Sequence, residues 1–188
     1  MDQNLLIGNS GSSAVVPVLA YQPYGANGRD LTEIQVTTAF GSDRGELVVP
    51  EQGWYEVLSF RGDDVSKIVD VQVTVVGVEA VKYPNIKKEF KTQFLDAAGE
   101  PTYGGDFESV RVTNDGALNV MVRLVYLVLD NPPSGSPQQP IRIIPLAGLT
   151  KIPARSDVVV PISADVASVQ AEIAGKDVFI SVKAFPSR

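Results

Sequence analysis

From Phe107 to Asp130 the chain reads FESVRVT, then NDG, then ALNVMVRLVYLVLD. Leu118, Val120, Val122, Leu124, Tyr126 and Val128 put an apolar side chain at every second position, the period of a strand rather than of a helix. The other register begins polar, with Asn119 and Arg123, and ends apolar, with Val125, Leu127 and Leu129. The second half of this strand is therefore expected to be buried on both faces. Val110 and Val112 alternate with Ser109, Arg111 and Thr113 and predict a strand entering the turn. A two-residue loop at Asp115-Gly116 would set Val112 opposite Asn119 and mix the faces. A three-residue loop, with Asn114-Asp115 in a type I turn and Gly116 left-handed, sets Val112 opposite Leu118 and is the expected hairpin.

The rest of the chain continues in the same period. Strands are expected over 14–20, 32–40, 54–60, 68–81, 90–95, 141–146, 157–162 and 177–185. Pro17 confines the first of these to an edge or a bulge, and Gly77 marks a bulge or bend in the valine-rich 68–81 stretch. Val166, Val169 and Ile173 recur at helical spacing between Asp165, a candidate cap, and Gly175, a candidate stop, so one short helix is expected near the C-terminus. Irregular spacing with long Pro- and Gly-rich loops predicts an all-β antiparallel sandwich, a single jelly roll being the expected form and other Greek-key topologies staying open because sequence alone does not fix strand order. Residues 1–13, polar and rich in Gly, Ser and Asn, read as a flexible N-terminal arm, and 14–188 as one sandwich domain. The NPPSGSPQQP stretch, 131–140, reads as an exposed loop inside that domain, because too little chain follows it to fold alone.

Composition limits the chemistry. The 188 residues include no cysteine and no histidine, which removes thiol nucleophiles, zinc–thiolate sites, and the commonest general base and transition-metal ligand. Acids outnumber bases 22 to 16, for a net charge of −6, which disfavours non-specific nucleic-acid binding. Gly8-Asn9-Ser10-Gly11-Ser12 begins like a nucleophile elbow but lacks the closing glycine. Asp63-Asp64 are adjacent in a turn and point apart. The expectation is a protein without catalytic residues, metal ligands, cofactor or small-molecule substrate. The start of the sequence, with an acid at position 2 and a three-residue apolar run, is not patterned as a secretory signal.

Candidate contact residues remain. Lys82, Lys87, Lys88 and Lys91 are four of the eight lysines and lie within ten residues. They read as a patch facing lipid headgroups or nucleic-acid phosphate, or as a solvated edge guarded against aggregation. Tyr21 and Tyr24 in a Pro/Gly-marked loop, and Pro132 and Pro133 in the proline-rich loop, are candidate assembly contacts. Trp54 reads as a core or interface anchor. Arg61-Gly62-Asp63 spells an adhesion tripeptide at a place where a turn is needed anyway.

Taken together, the jelly-roll pattern, the polar arm, the 107–130 hairpin, the 131–140 loop and the absence of His and Cys resemble the small major capsid proteins of membrane-containing, sphaerolipovirus-like icosahedral viruses. The resemblance implies upright single jelly rolls in capsomers built from copies of the chain and a related subunit. It also implies a virion location after synthesis in the host cytoplasm, with no sequence-specific nucleic acid bound. The four lysines would face the viral membrane and the arm would tie neighbours together. A phage head-decoration or fibre protein and a carbohydrate-binding sandwich are the competing readings.

Overall fold

The computed structural model describes residues 3–40, 47–83, 90–136 and 138–187, apart from the side chains of Gln3, Gln52 and Trp54. The expectations on Lys87, Lys88 and the Trp54 ring fall outside what is described. The chain is all-β and antiparallel, with one short helix near the C-terminus. Where the sequence reading carries one sandwich from 14 to 188, the chain clusters into two compact units, Met1–Pro84 and Asn85–Arg188, and each is described by itself.

Unit 1 holds β1 (Gln3–Asn9), β2 (Ala14–Tyr24), β3 (Gln35–Thr38), β4 (Gln52–Arg61) and β5 (Asp70–Val81). One sheet runs β1-β4-β3 and the other is the pair β2-β5. The expected flexible arm is corrected here. Gln3–Asn9 pairs along its whole length with β4, Leu5 opposite Glu56 and Ile7 opposite Trp54, so the stretch is held as an outer strand by the ladder on one of its edges. The GNSGS stretch is the β1–β2 turn rather than a nucleophile elbow. Asn9 Oδ1 accepts the Gly11 N–H at 2.9 Å, and its amide donates to the carbonyls of Ser13 and Val48. Arg61-Gly62-Asp63 leaves β4 in a tight turn. Gly62 has φ +140°, and a Cβ there would meet the Glu33 carbonyl at 3.1 Å, so the glycine serves the backbone. Leu31, Ile34, Val36, Leu58 and Ile68 form one apolar cluster, and Ala14, Val16, Leu47 and Val49 a second.

Unit 2 holds β6 (Lys91–Leu95), β7 (Ser109–Asn114), β8 (Val120–Leu129), β9 (Pro140–Pro145), β10 (Thr150–Ile152), β11 (Ser156–Pro161), α1 (Ala164–Ile173) and β12 (Phe179–Ser187). Its sheets are β11-β7-β6 and β10-β8-β12, with β9 pairing β8 beyond β10. Among the described residues this is a seven-strand sandwich, whereas an eight-strand jelly roll would need one strand more. The two sheets face each other through Val110 and Val112 on one side and Val120, Val122, Leu124, Tyr126, Val128, Val182 and Ala184 on the other. Each of the valines and Leu124 contributes roughly 1.5–3 kcal/mol on burial.

The expected 107–130 hairpin is overturned. β7 and β8 are strands, and β8 is buried on both faces through Leu127 as its pattern required, yet the two lie in different sheets. β6 and β11 occupy both edges of β7, and β12 and β10 with β9 occupy both edges of β8. No edge is left for the two to pair with each other. Residues 114–119 instead arch from sheet to sheet, and 152–156 makes the matching crossing between β10 and β11. Asn114, fully buried, ties the arches together by donating to the carbonyls of Leu118 at 2.8 Å and Pro153 at 2.9 Å. Arg155 N–H donates to Gly116 O, and Ala154 N–H to Asn119 Oδ1, both at 2.9 Å.

The helix starts one residue before the expected cap. Ser163 Oγ accepts the Val166 N–H at 3.3 Å and is the N-cap, while Asp165 lies in the first turn, where its charge suits the helix dipole. Gly175, at φ +75°, turns the chain away after the last helical turn. Burial raises the Tyr126 phenol to about 12, and its ring is fully buried against Phe107. The unfolded chain releases this proton near 10, so the contribution is complete below that pH and is lost as pH rises from 10 toward 12. In an alkaline titration the tyrosinate absorbance of Tyr126 is therefore expected to develop together with unfolding. Tyr126→Phe should remove that component, and an unchanged titration curve would refute the assignment.

Candidate assembly surface

Among the described residues β1, β3 and β5 of unit 1 each have one edge without a ladder, and β5 is the longest of them. It pairs with β2 and, among the described residues, with nothing on its other edge. Its twelve residues, DVQVTVVGVEAV, include no Lys, Arg or Pro, the residues that usually guard a free edge. Val75, Val76 and Val78 are exposed by 61%, 60% and 62%.

The direction of its main-chain groups follows from bonds made on the far side of β2. Val15 exchanges both of its bonds with Val48, at 3.0 and 2.7 Å, so it is a non-bonded partner of Ala80, whose own N–H and C=O face outward. Alternation turns Val78 outward as well. Pro23 accepts the Leu31 N–H at 3.0 Å on the same far side, which turns its β5 partner Val71 outward and, by alternation, Val73 and Val75. Pro17 and Pro23 both fall at positions directed away from β5, where the missing N–H breaks no bond to it. A bulge lies where the sequence marked Gly77. Val18 pairs with Gly77 and Leu19 with Val75, leaving Val76 as the extra residue.

The residues singled out from sequence are distributed as follows. Tyr21 is half-buried and packs against the Leu31–Ile68 cluster of unit 1. Tyr24 is the last residue of β2, and its hydroxyl donates to Gln72 Oε1 across the ladder at 3.1 Å. Lys82, exposed, follows β5 in unit 1, and Lys91, exposed, opens β6 in unit 2. Pro132, half-buried, and Pro133, exposed, lie in the connection between β8 and β9, which pair in one sheet. That loop is held by Gln139 N–H on Asp130 Oδ1 at 2.6 Å and by the Asn131 amide on the Asp177 carboxylate at 2.9 Å.

A second surface lies in unit 2, where α1 ends beside β12. A cleft of about 470 Å³ has an apolar floor of Phe94, Ile173 and Ile180, with Asp106 and Lys176 on its walls. Tyr103, 97% exposed, and Phe179, 52% exposed, stand at its lining. Phe94 stacks on Phe107 at 4.3 Å with rings 7° from parallel, so the floor is anchored to the core. Sequence reading passed over both surfaces. For β5 the signal was a long valine strand without a lysine or proline; for the cleft it was a tyrosine inside a glycine-rich connection.

Among the described residues no group of three acids is arranged to hold a metal ion, and no helix is long and apolar enough to cross a membrane. No protein-family model, curated protein or solved structure matches the chain.

Proposed function

We propose that this chain is a non-enzymatic structural subunit that assembles with copies of itself, as a virion shell protein does. The β5 edge, unpaired among the described residues, carries the reading. A monomeric protein tends to cover or charge such an edge, whereas a subunit presents it to a neighbour. The virion setting is supported by the sequence resemblance alone: no His or Cys, all-β architecture and long proline-rich connections. Edge-to-edge contacts that are individually weak become decisive when a closed symmetric assembly repeats them. The lysines Lys82 and Lys91 are exposed and open to the viral-membrane contact that the resemblance implies.

Light scattering over a range of concentration tests the reading. Dimers or larger species whose fraction rises with concentration are expected, and Val78→Lys, at an exposed side chain, should return the protein to monomer without lowering its melting temperature. A strict monomer at every concentration refutes self-assembly. It would shift the reading to the carbohydrate-binding alternative, which the exposed Tyr103 and Phe179 beside Asp106 favour: aromatic faces for a sugar ring and a carboxylate for its hydroxyls.

A further inference from the structure

We infer that two copies of the chain pair β5 with β5 about a two-fold axis, in one register set by the bulge at Val76. The inference rests on the self-assembly reading and adds to it the register and the residues that meet. In a regular edge strand the outward N–H and C=O groups sit on every second residue. Two-fold antiparallel self-pairing must then bring a residue opposite one of the same parity. β5 differs, because its outward positions are odd-numbered before the bulge (Val71, Val73, Val75) and even-numbered after it (Val78, Ala80). Self-pairing along the whole strand therefore has to bring the first half of one strand against the second half of the other, odd opposite even.

Among the registers that satisfy this, one aligns the strand with itself end to end, Asp70 opposite Val81. Val71 then bonds to Ala80 and Val73 to Val78, with Val75 beside Val76 at the axis. All three exposed valines meet apolar partners, and Asp70 and Glu79 fall opposite Val81 and Gln72. Sliding the partner one way leaves Ala80 and Val81 beyond the end of the partner strand. Sliding it the other way leaves Asp70 and Val71 beyond the end of the partner strand. The bulge, a common guard against edge pairing, here confines any register with a residue facing its own copy to one half of the strand, a much shorter ladder.

The chain has no cysteine, so disulfide trapping reads the register directly. Hydrogen-bonded antiparallel pairs place their Cα atoms about 5.5 Å apart, within disulfide range. Val73→Cys mixed with Val78→Cys, and Val71→Cys mixed with Ala80→Cys, are expected to give a linked dimer on oxidation, while each variant alone stays unlinked. Two separate pairs guard against one variant failing to fold. Linking of Val71→Cys with Val78→Cys, or of Val73→Cys with Ala80→Cys, in preference to the expected pairs would overturn the register. A wild-type protein that self-associates by light scattering but links in none of these mixtures would overturn the β5 interface and leave the assembly reading intact. A wild-type protein that is monomeric throughout would overturn both.

Discussion

Asn114→Ala should destabilise unit 2 by about 2–4 kcal/mol, seen as a lower urea midpoint with an unchanged slope. The side chain is fully buried and its amide serves the carbonyls of Leu118 and Pro153, with a longer reach of 3.4 Å to that of Ile152. Its oxygen accepts the Gly116 N–H at 3.0 Å. Alanine leaves these groups without a partner where water has little access, and an unsatisfied buried polar group costs more than a made bond yields. Asn114→Asp sharpens the test. It keeps the acceptor for Gly116 but turns a carboxylate toward several carbonyl oxygens, so it should be at least as damaging as alanine. A change below about 0.5 kcal/mol for both variants, the size of an ordinary surface substitution, would show that the two arches hold without this residue.

Phe107→Ala is expected to cost about 3–5 kcal/mol. The ring is 1% exposed, stacks on Phe94 and meets Tyr126 at 5.8 Å with a 53° tilt. Its loss removes both aromatic contacts and opens a cavity that strands held by ladders on both sides cannot close. The main chain of the same residue accepts the Gln170 amide at 3.1 Å, which ties α1 to the sandwich. Phe107→Leu separates the terms: it refills most of the volume and should recover more than half of the loss. Thermal unfolding reads the effect as a midpoint lowered by roughly 12–40 °C, taking about 4–8 °C per kcal/mol for a unit of this size. A shift of only a few degrees would place the ring outside the cooperative core.

Some of the architecture is written in local order. The alternation in 118–129 required a strand buried on both faces, and β8 is one, because side-chain direction alternates in any extended chain whatever its neighbours. Gly77 marked the bulge and Pro17 the constraint on β2 for equally local reasons: one lacks a Cβ, the other an N–H. The helix was legible from three apolar residues at helical spacing, and its cap was misplaced by two residues because Ser163 and Asp165 can both accept an N–H at a helix start.

What tertiary structure alone decided is which strands pair and which way an edge strand turns its main-chain groups. Asn114-Asp115-Gly116 is as good a hairpin turn as it is the start of an arch, and the choice was made by β6, β11, β10 and β12, whose ladders fill both edges of β7 and β8. Those partners lie up to several dozen residues away, where no local pattern reaches. The same holds for Gln3–Asn9, a polar-looking stretch that becomes a strand because β4 supplies its partners. The outer edge of β5, unpaired among the described residues, is the converse case. Its valines spell a strand to any reader, but only the bonds that Val15 and Pro23 make on the far side of β2 show which way its main-chain groups face. Side-chain period is a property of the chain, whereas the destination of each N–H and C=O is a property of the neighbours.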